Sequence, residues 1–362
     1  MTTALLAGGG TAGHVNPLLA LAEHWTADEP DVSIIVLGTA EGLESRLVPE
    51  RGFELMTIAR VPFPRRLNRQ ALTFPGRFRD AVRRAREIIR ERKVDVVVGF
   101  GGYASAPAYL AARLERVPMI AHEANARPGI ANKLAARLGA AVGVTFAGTP
   151  VRGARVVGMP LRREIVELDR AAVRPAALRH FGLDPARPVL LVTGGSTGAR
   201  RLNETISSAA ARILGTGWQV VHLTGTGRGG DDPQLPGFLS LDYCDRMELA
   251  FAAADLALCR AGSATVSELT AIALPAVLVP YAAGNGEQRL NARGLVAAGA
   301  ARLVDDAAVS PQWVADELVP LLADRAAIAR MAAAAHALDR LDGSAELLAL
   351  VREHRASSKR VG

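Results

Sequence analysis

Only two cysteines, Cys244 and Cys259, occur in this chain of 362 residues. So sparse a supply gives neither a disulfide framework nor a thiolate metal site. Aromatic residues make up 4% of the chain. With no recognisable reading motif either, nucleic acid is not an expected partner. No run of about 18 or more uncharged apolar residues is present, which excludes a membrane-spanning helix. The N-terminus has no basic start before a long apolar stretch, because Gly8 interrupts almost at once. A mature cytoplasmic chain is therefore expected. The glycine-rich segments lack the Gly-Lys-Ser/Thr ending of a P-loop, which disfavours nucleoside triphosphate hydrolysis.

What the chain has in abundance is apolar sequence, 49% of its residues. A chain of this length exceeds one typical core, so two domains are expected. The net charge is +7, and it is unevenly placed. The segment 63–93 carries 11 basic and 3 acidic residues, or +8, leaving −1 for the remainder. A local basic stripe implies a local anionic partner, such as a membrane surface or a polyphosphate.

Strand-like runs alternate with helical patterns along the whole chain. In order they read TALLA, VSIIVLG, VDVVVGF, VPMIAHE, AAVGVTF, PVLLVTGG, WQVVHLTG, ADLALCR and LPAVLVPY. Near-continuous apolar strands of this kind belong to parallel sheets covered by helices on both faces. The segment TPVRGARVVGMPLRREI, with Pro150, Gly153, Gly158 and Pro160, marks the crossing between halves. The expectation is an α/β protein with domains at 1–160 and 161–362, the last helix able to pack back on the first domain.

Three glycine loops follow such strands and open helices. They are Gly8-Gly9-Gly10-Thr11-Ala12-Gly13, the run from Gly99 to Ala108, and Gly194-Gly195-Ser196-Thr197-Gly198. Glycines let the backbone approach an anion, and a helix N-terminus offers free N–H groups and partial positive charge. Neither the first nor the last loop fits a full dinucleotide fingerprint; after the first, the nearest acid, Glu41, comes late. On one loop alone a plain tight turn is as good a reading. Two matching loops favour phosphate contacts.

The second half contains CRAGSATVSELTAIALPAVLVPYAAGNGEQRLNARGL. Gly262 and Ser263 start a helix, and Glu268 lies about a turn and a half inside it. That carboxylate suits the vicinal hydroxyls of a ribose; spacing alone equally allows a partner for the helix dipole. Glu287, Gln288 and Asn291 are groups of the kind that read sugar hydroxyls.

The motifs GGGTAGH, GFGGYAS, HEANARPGIANK, GMPLR, GGSTGAR and CRAGSATVSE…LPAVLVPYAAGNGEQRLNA occur in this order over nearly the whole chain. The ordered set resembles the MurG family of peripheral membrane glycosyltransferases. The resemblance implies a GT-B fold, two Rossmann-like domains with parallel sheets facing across a cleft. It implies an inverting transfer of N-acetylglucosamine from UDP-N-acetylglucosamine to the muramyl 4-hydroxyl of lipid I, giving lipid II, at the cytoplasmic face of the cell membrane. Carried onto this sequence, it places Thr11, Ala12, Gly13 and Asn125 at the sugar, and Arg162 and Ser196 near the diphosphate. The backbone near Cys244 meets the uracil, and Ser263, Ala264, Thr265, Val266, Ser267 and Glu268 form the nucleotide-facing helix start, with Glu268 on the ribose. Gln288 reads the sugar. Thr197 departs from the glutamine usual in that loop, and Glu287 stands where some relatives carry a second glutamine.

The chemistry asks for charge stabilisation on a departing diphosphate, which a helix N-terminus and an arginine supply. No Asp-x-Asp occurs, so neither a metal nor another cofactor is expected. Inversion also needs a base for the acceptor hydroxyl, and a histidine suits near-neutral pH. His14 and His122 both end up beside strand C-termini, and His14 is the preferred base. For either ring a structural role on a loop carbonyl is equally open from spacing alone. The stripe over 63–93 divides into a helix face of Phe78, Ala81, Val82, Ala85, Ile88 and Ile89 for the core, and arginines for the outside. Ahead of it, Phe63, Leu67, Leu72 and Phe74 among arginines suit a shallow dip into anionic lipid; a solvated charged surface is the alternative. Rival readings are another glycosyltransferase of this fold, a UDP-sugar epimerase, and a nucleotide-sugar binder without turnover.

Overall fold

The computed structural model describes residues 1–64, 69–195, 197–227, 232–282, 285–339 and 341–361. It divides into two compact units, Met1–Arg163 with Leu341–Gly362, and Glu164–Arg340.

The first unit is built on seven strands: β1 (Thr3–Ala7), β2 (Ser33–Gly38), β3 (Glu54–Thr57), β4 (Val96–Gly99), β5 (Met119–Glu123), β6 (Ala141–Val144) and β7 (Arg155–Val156). They lie in the order β3-β2-β1-β4-β5-β6-β7, and every pairing is parallel. Leu5 pairs with Ile35 on one side and Val97 on the other. Both faces are buried, as the apolar runs require. Leu5 and Ala7 face a core that contains Ala81, Val82, Ala85, Ile88 and Ile89. Ala4 and Leu6 face a second core with Leu18, Leu21 and Trp25.

Helices α1 (Ala12–Asp28), α2 (Glu44–Glu50), α3 (Arg69–Glu91), α4 (Gly102–Glu115) and α5 (Ile130–Arg137) fill the crossovers. The C-terminal helix Gly343–Val361 returns to this unit, burying Leu347, Leu348 and Val351 in the same core as Trp25. Arg155 fixes it by ion pairs of 2.9 Å to Glu346 and 2.9 Å to Glu353.

The second unit has six strands: β8 (Val189–Thr193), β9 (Gln219–Leu223), β10 (Phe238–Leu241), β11 (Leu256–Cys259), β12 (Ala276–Leu278) and β13 (Ala301–Leu303). Their order is β10-β9-β8-β11-β12-β13, again all parallel. In both sheets the chain leaves the first strand toward one side and later returns on the other. The reversal lies between β1 and β4 in the first sheet and between β8 and β11 in the second. Ligands of open parallel sheets bind outside the strand C-termini at such reversals. The three glycine loops, and the Ser263 helix start after β11, all fall there.

Candidate functional site

In the first unit the glycine turn after β1 leads directly into α1, whose N-cap, Thr11, makes no side-chain capping bond. The N-caps of α4 and α5, Gly101 and Gly129, make none either. The same holds in the second unit for the helix Arg200–Ser208 and for the helix Ser263–Ala271. Three helices that begin elsewhere carry side-chain caps, Asp169 accepting from Ala172, Ser310 from Trp313 and Asp324 from Ala327, while α2 and the helix Met247–Ala253 start without one. Backbone donors left without a cap at a strand C-terminal edge are available to an anion.

His14 is half-buried in the first turns of α1, beside Thr11, Ala12 and Gly13. Its Nδ1 lies 3.2 Å from the Gly9 carbonyl oxygen and 3.1 Å from the Thr11 hydroxyl. A carbonyl only accepts, so Nδ1 carries the proton and Nε2 keeps its lone pair. Burial lowers the ring's pKa from 6.5, and the charges of Glu123 and Glu44 and the Gly9 carbonyl oppose that without cancelling it. Burial thus favours the neutral form of the ring.

Gly101 leaves room for that ring: a Cβ there would sit 3.1 Å from Nε2 and 3.9 Å from the Asn132 amide nitrogen. Asn132 in turn donates to Glu123 at 2.9 Å. The buried Glu123 carboxylate also accepts from the backbone of Asn125 and Gly129, both at 2.9 Å. Glu123 thus holds the Asn125 backbone, and its charge bears on the His14 ring; Asn125 is half-buried on the loop after β5.

His122, the other candidate base, is different. It is fully buried, with Nε2 3.0 Å from the Gly158 carbonyl. Burial pushes its pKa down to about 4. It holds a loop in place, with no access to a substrate. Arg162 is half-buried at the end of the GMPLR segment.

In the second unit Ser196 lies outside the described residues. The turn around it is set by close packing: a Cβ on Gly194 would stand 2.3 Å from the Ala199 nitrogen, and one on Gly225 would stand 2.3 Å from the Gly198 nitrogen. Cys244 is half-buried beyond β10. Along the helix Ser263–Ala271, Ala264, Thr265, Ser267 and Glu268 are half-buried and Ser263 is buried. Val266, in the same expected nucleotide-facing set, has its side chain in the core and its N–H bonded to the Gly262 carbonyl at 2.9 Å.

Asn291 is buried and donates to the Ala261 carbonyl. Gln288 accepts from the Tyr281 backbone at 2.9 Å, which leaves its two amide N–H donors as the groups able to read a sugar.

Sequence reasoning missed three anchoring groups. Arg260 pairs with Asp306 at 2.6 Å and reaches the Val279 carbonyl at 3.2 Å, with its guanidinium 5.7 Å from the Tyr281 ring centroid. It ties the loop after β11 to the segment after β12 that leads to Gln288. Glu123 is the second. Glu44 is the third: it is fully buried and accepts from the Gly10 backbone at 2.8 Å, the Thr39 backbone at 2.9 Å and the Thr39 hydroxyl at 2.8 Å. The available signal was a pair of glycines, Gly38 and Gly42, shortly before it in the sequence. A Cβ on either would lie within 2.5 Å of its side chain.

The stripe over 63–93 has its apolar face in the core, and several of its outward arginines are in ion pairs. Arg83 pairs with Asp80, Arg84 with Glu87, Arg86 and Arg90 both with Glu115, and Arg92 with Glu54. Arg77 and Arg79, near the start of α3, are exposed beside Leu72, which is 82% exposed. Phe74 is half-buried, its ring centroid 5.2 Å from that of Phe63 and 5.4 Å from that of Phe78. Arg65, Arg66 and Leu67 lie outside the described residues.

Residues 4–144 match the family model of the glycosyltransferase family 28 N-terminal domain, and residues 189–347 that of its C-terminal domain. A UDP-N-acetylglucosamine–N-acetylmuramyl-(pentapeptide) pyrophosphoryl-undecaprenol N-acetylglucosamine transferase of Leifsonia xyli subsp. xyli is 60% identical, over 97% of this chain and 98% of its own. One of Streptomyces coelicolor is 49% identical, over 98% of this chain and 99% of its own. Among solved structures, Acinetobacter baumannii MurG superposes with a TM-score of 0.79 at 27% identity, covering 98% of this chain and 100% of that one. The calicheamicin glycosyltransferase CalG4, at 18% identity and a TM-score of 0.69 over 98% of each chain, shares the fold. Two all-parallel sheets with glycine turns at their reversals, in a chain this similar to these transferases, belong to glycosyltransferase family 28, in its MurG branch and with the GT-B fold.

Proposed function

We infer that the chain moves N-acetylglucosamine from UDP-N-acetylglucosamine to the 4-hydroxyl of the muramyl sugar of lipid I, with inversion at the anomeric carbon, producing lipid II. The observation that carries this reading is the 60% identity, end to end, with a transferase of that printed name.

In this reading Nε2 of His14 takes the proton from the acceptor hydroxyl as the oxygen attacks the anomeric carbon. The bond to the UDP oxygen breaks on the opposite face. Negative charge then grows on the departing diphosphate, where uncapped N–H groups at the start of the helix Arg200–Ser208, with Arg162 and Ser196, stabilise it. Glu268 holds the ribose hydroxyls, the backbone near Cys244 meets the uracil, and Ser263, Ala264, Thr265 and Ser267 line the nucleotide. Thr11, Ala12, Gly13, Asn125 and Gln288 surround the sugar.

Lipid I is membrane-borne, so the reading includes an anionic membrane surface at the start of α3 and a place at the cytoplasmic face of the membrane. Among the described residues no helix is long and apolar enough to cross a bilayer; Leu72 with Arg77 and Arg79 would instead rest on its surface.

The test is incubation with labelled UDP-N-acetylglucosamine and lipid I, followed by mass analysis of the lipid. The expected product is lipid I heavier by one N-acetylglucosaminyl unit, with UDP released. An altered sugar nucleotide with unchanged lipid would identify an epimerase instead, and binding without turnover would remove the enzymatic reading.

A further inference from the structure

Glu44 is a carboxylate with no place in the reaction as described, yet it is fully buried and the glycines around it are shaped to its side chain. A Cβ on Gly9 would stand 2.2 Å from its Oε1, one on Gly42 2.0 Å from its Oε2, and one on Gly38 2.5 Å from its Cγ. The groups that hydrogen-bond it are backbone and hydroxyl donors. Burial raises its pKa, and the backbone N–H groups of Gly10, Glu44 and Thr39 together with the Thr39 hydroxyl outweigh that, holding it below the ordinary range. It is an ionised group stabilised by hydrogen bonds.

One of those bonds has a particular destination. The Gly10 N–H that Glu44 accepts at 2.8 Å belongs to the same peptide unit as the Gly9 carbonyl, which lies 3.2 Å from His14 Nδ1. The sequence of contacts is carboxylate, peptide N–H, peptide C=O, imidazole N–H. Hydrogen bonds in series polarise one another, so a negative charge on the N–H side makes the carbonyl a better acceptor. A better acceptor at Nδ1 secures the proton there and leaves Nε2 the basic nitrogen, as a carboxylate touching the ring directly does in other enzymes.

We propose that Glu44 is a positioning residue for the transfer, acting through the single peptide unit Gly9–Gly10 to fix the tautomer and placement of His14. The proposal rests on the reading of His14 as base. The charged groups that bear on the ring are Glu44, from the start of α2, and Glu123, from the end of β5. Glu123 hydrogen-bonds Asn125, Gly129 and Asn132 and, among the described residues, not the Gly9–Gly10 peptide, so the two contributions separate by mutation.

The experiment uses the full chain with 15N-labelled histidine. In the unmodified protein near neutral pH, ring 15N shifts are expected to show His14 protonated on Nδ1; a proton on Nε2 overturns the proposal without any variant. Glu44→Gln removes the charge and turns an amide group toward donors. The expected result is a mixed tautomer, a lower His14 pKa, and kcat reduced on the order of 10–100-fold with the KM for UDP-N-acetylglucosamine held. A ring unchanged in tautomer and pKa overturns the proposal. Thr39→Val loosens the same slot while keeping the carboxylate; it should lower the melting temperature and leave the ring as it was, and a matching ring shift in this variant would reduce Glu44 to a packing role. His14→Gln separates the two claims. If it retains full turnover while Glu44→Gln still moves the ring, the base reading fails and the hydrogen-bond relay stands.

Discussion

Gly102 and Gly9 meet backbone to backbone: a Cβ on Gly102 would stand 2.4 Å from the Gly9 carbonyl oxygen. The turns after β1 and β4, on the two sides of the sheet reversal, are thus packed against each other with no side chain between them. Gly102 also has φ +79°, a region that costs an L-residue about 1–2 kcal/mol. Gly102→Ala carries both penalties and should destabilise the protein by about 2–4 kcal/mol. Gly139→Ala, at φ +91° with nothing within 4 Å of its Cβ, carries only the conformational penalty. Urea titrations of the two variants check the difference. Since the Gly9 carbonyl also orients His14, Gly102→Ala should lower turnover and Gly139→Ala should not.

The base reading of His14 has a pH signature. Burial lowers its pKa below 6.5, so the neutral, competent ring persists into mildly acidic solution. The acidic limb of kcat/KM should fall below the ordinary histidine range, and activity should be flat from there through pH 7. His14→Ala should reduce kcat on the order of 10²–10⁴-fold, the usual contribution of a general base. Near-normal turnover of His14→Ala on a soluble lipid I analogue would refute the assignment.

Two other histidines predict acid sensitivity of the fold. His122 in the first unit and His222 in the second are buried, each with an Nδ1 that has no hydrogen-bond partner among the described residues. Burial lowers each pKa from 6.5 to about 4. The unfolded chain therefore binds more protons between these values. The stability each ring contributes is fully present above pH 6.5 and is lost as pH falls toward 4. The urea midpoint should drop over that window before most carboxylates titrate. His122→Gln and His222→Gln should each flatten the upper part of the slope, and an unchanged slope in both would show that other groups control it.

The legibility of the sequence followed burial. The nine apolar runs became β1, β2, β4, β5, β6, β8, β9, β11 and β12. The strands without such a signal, β3, β7, β10 and β13, are the outer strands of the two sheets. An edge strand is half-solvated and short, so it needs no continuous apolar run, and ELMT or ARL reads as a loop. At the site, motifs fixed which loops mattered but not why each glycine was there. Gly9 and Gly102 answer to Glu44 and to each other, contacts that join residues far apart in sequence. A motif also does not say which side of a short helix faces the core, where Val266 and Asn291 lie.

Among the described residues of α3, Arg77 and Arg79 make no ion pair whereas Arg83, Arg84, Arg86 and Arg90 do, and that localises the expected membrane contact. Arg77 and Arg79 neighbour the exposed Leu72 and the Phe63, 37% exposed, whereas Arg86 and Arg90 are tied to Glu115 at 2.7 Å each. A basic residue at an anionic bilayer contributes about 1 kcal/mol. Replacing both Arg77 and Arg79 by glutamine should therefore weaken binding to anionic vesicles about 30-fold. Arg90 is 13 residues beyond Arg77 on one helix, roughly 20 Å along its axis. That exceeds a Debye length of about 8 Å at physiological salt, so Arg90→Gln should change binding little. Leu72→Glu removes the apolar part and adds repulsion, and should weaken binding to neutral and anionic vesicles alike. Flotation on phosphatidylcholine vesicles with and without phosphatidylglycerol reads all four proteins. Equal binding of the unmodified chain to both vesicle types would refute the electrostatic part, and an Arg90→Gln loss as large as that of the Arg77 and Arg79 pair would move the contact to the other end of the helix.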